Sequence, residues 1–147
     1  MLTVLGWILV IFPGILFVGQ LISSLNFSFA QKIGLQENPA HADPLVQRAE
    51  RYVAYWDLVT LGWLPLSGIL MLLDHSAWPL MGFFGSAIYI DTAGREAAKN
   101  LSLKHHGLQV GAPGQHRFFF ATYIIMLILG LLTLAVSLAA IAETCCT

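Results

Sequence analysis

The chain has 147 residues, of which 57% are hydrophobic and 10% are charged, with a formal net charge of −1. Soluble domains carry about 25% charged residues, so this composition excludes an ordinary water-soluble globular protein. The net charge also gives no basic surface of the kind that binds nucleic acid, and no nucleic-acid partner is expected. Membrane lipids are the expected surroundings of the chain.

Four apolar runs have the length of a membrane-spanning helix. About 20 helical residues cross a hydrocarbon core of about 30 Å. The runs are continuous and rich in Leu and Ile, without the alternating pattern of barrel strands. The predicted spans cover residues 3–25, 54–73, 77–98 and 118–141. The predicted fold class is therefore all-α, an integral membrane four-helix bundle that forms one membrane domain over residues 1–147.

The first span contains Pro13-Gly14 near its middle, where the missing N–H and the ring of proline predict a kink. The span turns polar from Gln20 onward, and Gly34 is a predicted helix stop. Residues 26–53 form the first loop, on the cytoplasmic side.

An amphipathic interfacial helix is predicted just before the second span. Asp43 is a good N-cap and Pro44 a good first helical residue. We expect this helix to lie on the headgroups and to continue into the second span as one helix, with a docking or substrate-binding face as the alternative. Its apolar stripe is Leu45, Ala49, Tyr52, Val53 and Trp56, and the residues placed elsewhere on its surface are Gln47, Arg48, Glu50 and Arg51.

The second and third spans are predicted to form an antiparallel hairpin. The turn Asp74–Ser76 is too short for any other arrangement. Pro65 lies near mid-membrane in the second span, and Gly82 with Ser86 forms a pair of small residues in the third that lets helices approach closely. Residues 99–117 form the second cytoplasmic loop.

The positive charges predict the orientation. All seven Lys and Arg residues lie in two stretches, one after the first span and one from Arg95 to Arg117. Cytoplasmic loops carry the Lys/Arg excess, so both termini should face outward, in a multi-pass protein of the plasma (bacterial inner) membrane. Cys145 and Cys146 form an expected frayed tail and support no disulfide framework.

A polar layer is predicted in the inner third of the membrane. Counted inward at about 1.5 Å per residue, Asp57, Asp91, Arg95 and Gln20 lie roughly 20–26 Å from the outer surface, with Tyr123 at a comparable level. Because Asp91 and Arg95 are spaced i,i+4, we expect an Asp57–Arg95–Asp91 network that faces the bundle interior. In the alternative, Arg95 snorkels to the headgroups with Asp91 as its partner, and Asp57 is exposed at the interface.

No cofactor and no metal site are predicted. His105, His106 and His116 are weak candidates, because adjacent histidines lack the i,i+4 geometry of a helical metal site and the loop is rich in glycine. The chain has no phosphate-binding glycine loop, nucleophile elbow or haem attachment motif.

The layout resembles that of the membrane-associated proteins of eicosanoid and glutathione metabolism. Those are short four-helix chains with outward termini, and their second helix opens with the pattern R-x-x-R-A-x-x-N-x-x-E. Arg48 and Arg51 match the two arginines, whereas Tyr52, Tyr55 and Leu58 stand at the alanine, asparagine and glutamate positions. The resemblance implies a small membrane enzyme or carrier for a lipid-soluble substrate.

The leading functional hypothesis is a non-enzymatic accessory, assembly or structural subunit of a membrane complex, or a self-associating bundle. It rests on short loops, glycine-rich helix faces and the lack of a catalytic motif. The expected partners are lipids together with a protein partner or a second copy. The alternative is the small enzyme or carrier, with Asp57, Asp91 and Arg95 as the polar end of an apolar pocket in the inner leaflet.

Overall fold

The computed structural model describes residues 2–108 and 110–145, and the fold is all-helical, as predicted. No β-strand occurs in these residues, although one isolated antiparallel bridge joins Ala42 to Val110. Cys146, half of the predicted cysteine tail, lies outside the described residues. The helices are α1 (Leu2–Leu25), α2 (Phe27–Lys32), α3 (Pro44–Thr60), α4 (Trp63–Leu72), α5 (Trp78–His105) and α6 (Pro113–Cys145).

Local sequence signals begin α3 and end the segment that contains α2 where they were predicted. The carboxylate of Asp43 accepts a hydrogen bond from the backbone N–H of Leu45 at 2.8 Å, and Pro44 is the first residue of α3. Gly34 has a φ of +81°, a conformation that favours glycine, and it ends the segment that contains α2. The second loop is shorter than predicted, because α5 continues to His105 and α6 already begins at Pro113.

The interfacial stretch and the start of the second span form one helix, α3, as predicted, but the second span is then interrupted between α3 and α4. The backbone N–H of Leu61 still donates to the carbonyl of Asp57 at 2.8 Å, but the helix is interrupted at Leu61 and Gly62. Pro65 explains the break, because it has no N–H for the carbonyl of Leu61 and its ring clashes with that carbonyl. By contrast, α1 continues through Pro13.

Three segments are long and apolar enough to cross a membrane: Leu2–Leu25, Pro44–Leu72 and Gly114–Glu143. They support a small membrane protein. The helix α5 is not among them, because its second half carries several charged residues, including Arg95 and Lys99.

The long helices pack through close backbone contacts, with α1 against α4, α4 against α5, and α5 against α6. A methyl group added to Gly68 would lie 2.8 Å from Cβ of Leu9 in α1. One added to Gly85 would lie 2.8 Å from the backbone nitrogen of Leu64 in α4. Gly130 of α6 is similarly close to α5. These glycines let the helices approach to backbone contact.

The distribution of polar and apolar side chains is that of a bundle surrounded by lipid. Large apolar side chains face outward on every long helix, as on Ile11, Trp56, Phe84 and Ile128. The interior contains, beside core residues such as Leu9 and Leu64, small hydroxyl residues that are fully buried, namely Ser67, Ser86, Thr133 and Ser137. Water would penalise this arrangement, whereas hydrocarbon favours it, because lipid tails are as apolar as leucine.

The close approach of α4 and α5 makes a matched pair of glycine substitutions informative. Gly85→Ala should lower the free energy of unfolding by about 1–3 kcal/mol, because its methyl group meets the backbone of Leu64. Gly94→Ala on the same helix meets no atom within 4 Å and should raise stability by up to about 1 kcal/mol through helix propensity. Chemical denaturation in mixed micelles measures both, and equal effects would contradict the packing.

Candidate functional site

The two loops at one end of the bundle are joined to each other. The backbone N–H of Gly111, which follows α5, donates to the carbonyl of His41 at 2.9 Å. The amide of Gln115, at the start of α6, donates to the carbonyl of Gln36 at 3.1 Å. Together with the Ala42–Val110 bridge, these contacts close this end of the bundle.

Part of the first loop lies inside the bundle. Gln36 and Glu37 are buried, with 7% and 5% of their surface exposed. The side-chain amide of Gln36 donates to the hydroxyl of Ser23 on α1 at 3.1 Å, and the amide of Gln31 donates to the carbonyl of Glu37 at 3.0 Å. These amide contacts hold the carboxyl group of Glu37 against the helices.

The buried face of α3 is the one opposite its predicted apolar stripe. Val46, Glu50, Ala54 and Asp57 are buried, whereas most of the predicted apolar stripe, including Tyr52, is exposed. The placement of Glu50 on the surface is therefore wrong. The physical reason is the solvent, because lipid draws the apolar stripe outward and leaves the acidic face to the interior.

Lys99 of α5 forms ion pairs with two buried acids, Glu50 on α3 and Glu96 on α5. Its ammonium group donates to a carboxylate oxygen of Glu50 at 2.6 Å and forms a second ion pair with Glu96, one turn earlier on α5. Glu50 and Glu96 are both buried, and three-quarters of the lysine side chain is also covered. This triad joins α3 to α5 across the interior. Nearby, the amide of Asn100 donates to the Tyr123 hydroxyl at 3.1 Å.

The predicted Asp57, Arg95 and Asp91 lie close to one another but not all in the interior. The guanidinium group of Arg95 is 4.0 Å from Asp57 and 3.8 Å from Asp91. The side chain of Asp57 is 4% exposed, that of Arg95 43% and that of Asp91 73%. Asp57 therefore faces the interior, Asp91 faces outward, and Arg95 lies between them.

A cavity of about 170 Å³ lies beside the triad. Gln20 and Tyr123 of the predicted layer line it, together with Asp57 and the buried Glu37. Its apolar wall is formed by Leu16, Leu35, Leu61, Phe119 and Met126.

The cavity lies between two packed pairs of helices, α1 with α3 and α5 with α6. Ile15 on α1 and Phe118 on α6 both line the cavity, yet they are 65% and 62% exposed. The cavity therefore has an apolar mouth between α1 and α6.

Three buried oxygens at the cavity have no hydrogen-bond partner: Oε1 of Gln20, Oε2 of Glu37 and Oδ1 of Asp57. An unsatisfied buried acceptor costs about 1–3 kcal/mol, so each favours a donor in the cavity. Burial, together with the nearby Glu50 carboxylate, raises the pKa of Glu37 to about 7.

The histidines lie apart from this cavity. His105 and His106 form an edge-to-face ring pair, and the ring of His116 contacts that of Phe120, with centroids 4.8 Å apart. Within residues 2–108 and 110–145, no group of three or more His, Cys, Asp or Glu side chains is arranged to hold a metal ion.

Sequence reasoning missed four charged residues of this site: Glu37, Glu50, Glu96 and Lys99. A signal for Glu50 was present, because Glu50 and Asp57 are seven residues apart on one face of a helix that enters lipid. Glu96 and Lys99 show the i,i+3 spacing of an ion pair. Glu37 had no such signal, because only the folded loop carries it inward.

No family model, curated protein or solved structure matches the chain. The resemblance in layout to the proteins of eicosanoid and glutathione metabolism therefore has no support from a match.

The two cations of α5 should differ strongly in their contribution to stability. Lys99→Gln leaves Glu50 and Glu96 buried without their cation and should lower the free energy of unfolding by about 3 kcal/mol. Arg95→Gln should lower it by less than about 1 kcal/mol, because its ion pairs are long and partly exposed. Denaturation in mixed micelles compares them, and a larger loss for Arg95→Gln would contradict the triad.

Glu37 should make stability fall as pH rises. Its pKa is 4.5 when unfolded and about 7 when folded, so between these values the folded state binds more protons than the unfolded state. The free energy of unfolding should therefore decrease by up to about 3 kcal/mol from pH 4.5 to pH 7. Glu37→Gln should be more stable than the parent at pH 8 and similar at pH 4. Parallel pH curves for the two proteins would refute this assignment.

Proposed function

We propose that the protein spans the bacterial inner membrane four times, with both termini outside and both basic loops in the cytoplasm. The support for α5 as a membrane span, the third in chain order, is its packing between α4 and α6. Its low mean hydropathy comes partly from residues that do not meet lipid, since Gly82, Gly85, Ser86 and Thr92 are all buried. Its exposed residues in this region include Leu80 and Phe84.

Cysteine labelling tests this topology with two matched serine sites. In a background with Cys145→Ser and Cys146→Ser, Ser76→Cys in the hairpin turn should react with a membrane-impermeant maleimide applied to intact cells. Ser102→Cys, near the end of α5, is also exposed but should react only after the membrane is permeabilised. Labelling of both sites from one side would exclude α5 as a span, and reversed labelling would overturn the orientation.

We further propose that the protein binds a lipid-soluble molecule, as a membrane-embedded carrier or receptor. The observation behind this proposal is the cavity, which has unpartnered oxygens at its inner end and an apolar mouth between α1 and α6. A ligand dissolved in the bilayer can reach such a mouth without crossing water. Its polar group would meet the buried oxygens while its tail remains in hydrocarbon.

The size of the cavity limits what enters it. Sites that enclose a drug-sized ligand have volumes of about 300–1,000 Å³, whereas a cavity of about 150 Å³ holds a molecule the size of benzene. At about 170 Å³, this cavity accommodates a polar group and the first few carbons. The remainder of the ligand extends through the mouth into the lipid.

The accessory-subunit hypothesis is a second proposal with less support. The glycine-rich faces that suggested a surface for a partner are occupied by internal contacts, at Gly68, Gly85 and Gly130. Purification in mild detergent with mass measurement tests it directly. A stoichiometric protein partner or a stable oligomer would support it, and a monodisperse monomer would count against it.

Filling the cavity tests the binding proposal. Gly19 lines the cavity and has only a Leu35 methyl group, 3.9 Å away, near an added Cβ. Gly19→Phe should therefore fill the cavity and abolish binding of 1-octanol, measured by titration calorimetry in lipid nanodiscs. Gly14→Phe is the matched control, because Gly14 is on the same helix and faces open space. Equal octanol binding by both variants would overturn the proposal.

A further inference from the structure

The charges around the cavity are unbalanced. Four carboxylates lie at or beside it, on three different elements: Glu37 in the first loop, Glu50 and Asp57 on α3, and Glu96 on α5. The balancing cations are Lys99, held by two of these acids, and Arg95, which also contacts the outward Asp91.

The other elements at the cavity contribute no further cation. The polar residues that α1 and α6 contribute to its lining are Gln20, Ser23, Thr122 and Tyr123, none of which carries a positive charge. With every acid ionised, the cluster has an excess of negative charge in a region that lipid screens poorly. Such an excess is relieved by protons or by a cation that enters the cavity.

A second, independent observation indicates what kind of cation fits. Glu37 and Asp57 are both more than nine-tenths buried, and each has a carboxylate oxygen without a hydrogen-bond partner at the cavity wall. The amide oxygen of Gln20 is in the same state. All three groups are acceptors, so the complementary group is a donor of several hydrogen bonds. A primary ammonium group has three N–H donors and a positive charge.

We propose that the ligand of this cavity is an amphiphile with a primary ammonium group and an apolar tail. This inference rests on the proposed binding function and specifies its ligand class. The ammonium group neutralises part of the excess charge and donates to the oxygens of Gln20, Glu37 and Asp57. The first carbons contact the wall formed by Leu16 and Phe119, and the tail leaves through the mouth.

Related head groups fit less well for defined reasons. An alcohol donates one hydrogen bond and leaves the charge excess in place. A carboxylate adds to that excess, and a quaternary ammonium carries the charge without any N–H. An ammonium group of this kind occurs in free alkylamines and in the ethanolamine headgroup of lipids, and the two sources share the same recognition chemistry.

Titration of four probes that share an eight-carbon chain and differ in their head group tests the preference for a primary ammonium group. The protein is placed in phosphatidylcholine nanodiscs at pH 7.5, where octylamine is protonated, because alkylammonium groups have pKa values near that of lysine, about 10.4. Octylamine should bind at least about tenfold more tightly than 1-octanol or octyltrimethylammonium, and octanoate should bind more weakly than all three. Empty discs and discs with Gly19→Phe correct for partitioning into lipid.

Two neutralising variants locate the preference in the cavity. Glu37→Gln keeps the shape of the side chain and removes one unpartnered charge, so octylamine binding should weaken about tenfold while octanol binding is unchanged. Asp74→Asn removes an acid from the turn at the opposite end and should alter neither. A loss for both probes in Glu37→Gln would indicate a structural role and would overturn the assignment.

The outcomes separate this inference from the proposed function. If octanol binds in a manner blocked by Gly19→Phe but octylamine binds no better, the binding function stands and the ammonium preference is wrong. If no probe binds, both fail. Adding phosphatidylethanolamine to the discs identifies the source of the ammonium group. A weaker apparent affinity for octylamine supports a lipid headgroup as the ligand, and an unchanged affinity for octylamine supports a free amine.

Discussion

The ion pairs of Lys99 with Glu50 and Glu96 are the constraint on which the end of the bundle that carries the two long loops depends. They join α3 to α5 across the interior of the bundle. Replacing Lys99 alone leaves the two acids buried without a cation, and replacing the acids alone leaves the lysine without an anion. Either change lowers stability more than replacing the whole set of charges with apolar residues does. The triad therefore links α3 to α5 at the wall of the cavity, which Glu50 and Glu96 both line.

The same end of the bundle shows how lipid changes the meaning of a sequence pattern. In a soluble helix, the apolar stripe of α3 would face the core and its acids would face water. Here Trp56 faces outward, and Glu50 and Asp57 face inward. At the other end, Gly85 and Ser67 lie at the close contact between α4 and α5, where Ser67 donates a hydrogen bond to the carbonyl of Trp78. Small residues thus bring α4 and α5 together at one end, and ion pairs link α3 to α5 at the other.

The sequence was sufficient to predict the helical fold, the N-cap at Asp43 and the stop at Gly34, because each depends on neighbouring residues alone. It also placed Gln20, Asp57 and Tyr123 at one level, through the constant rise of a helix, and all three line the cavity. The inward position of Glu37 could not be predicted in this way. It depends on hydrogen bonds from Gln31 and between Gln36 and α1, which form only after distant segments meet.

The burial of acids on α3 and cations on α5 has a consequence for biosynthesis. The ribosome completes α3, with Glu50 and Asp57, before Lys99 of α5 exists. During that interval these carboxylates lack the cation that holds them in the folded protein, and their burial without it is opposed by several kcal/mol. We expect the acidic face of α3 to stay in contact with water until α5 emerges. The charge pairs thereby make burial of this face dependent on synthesis of α5.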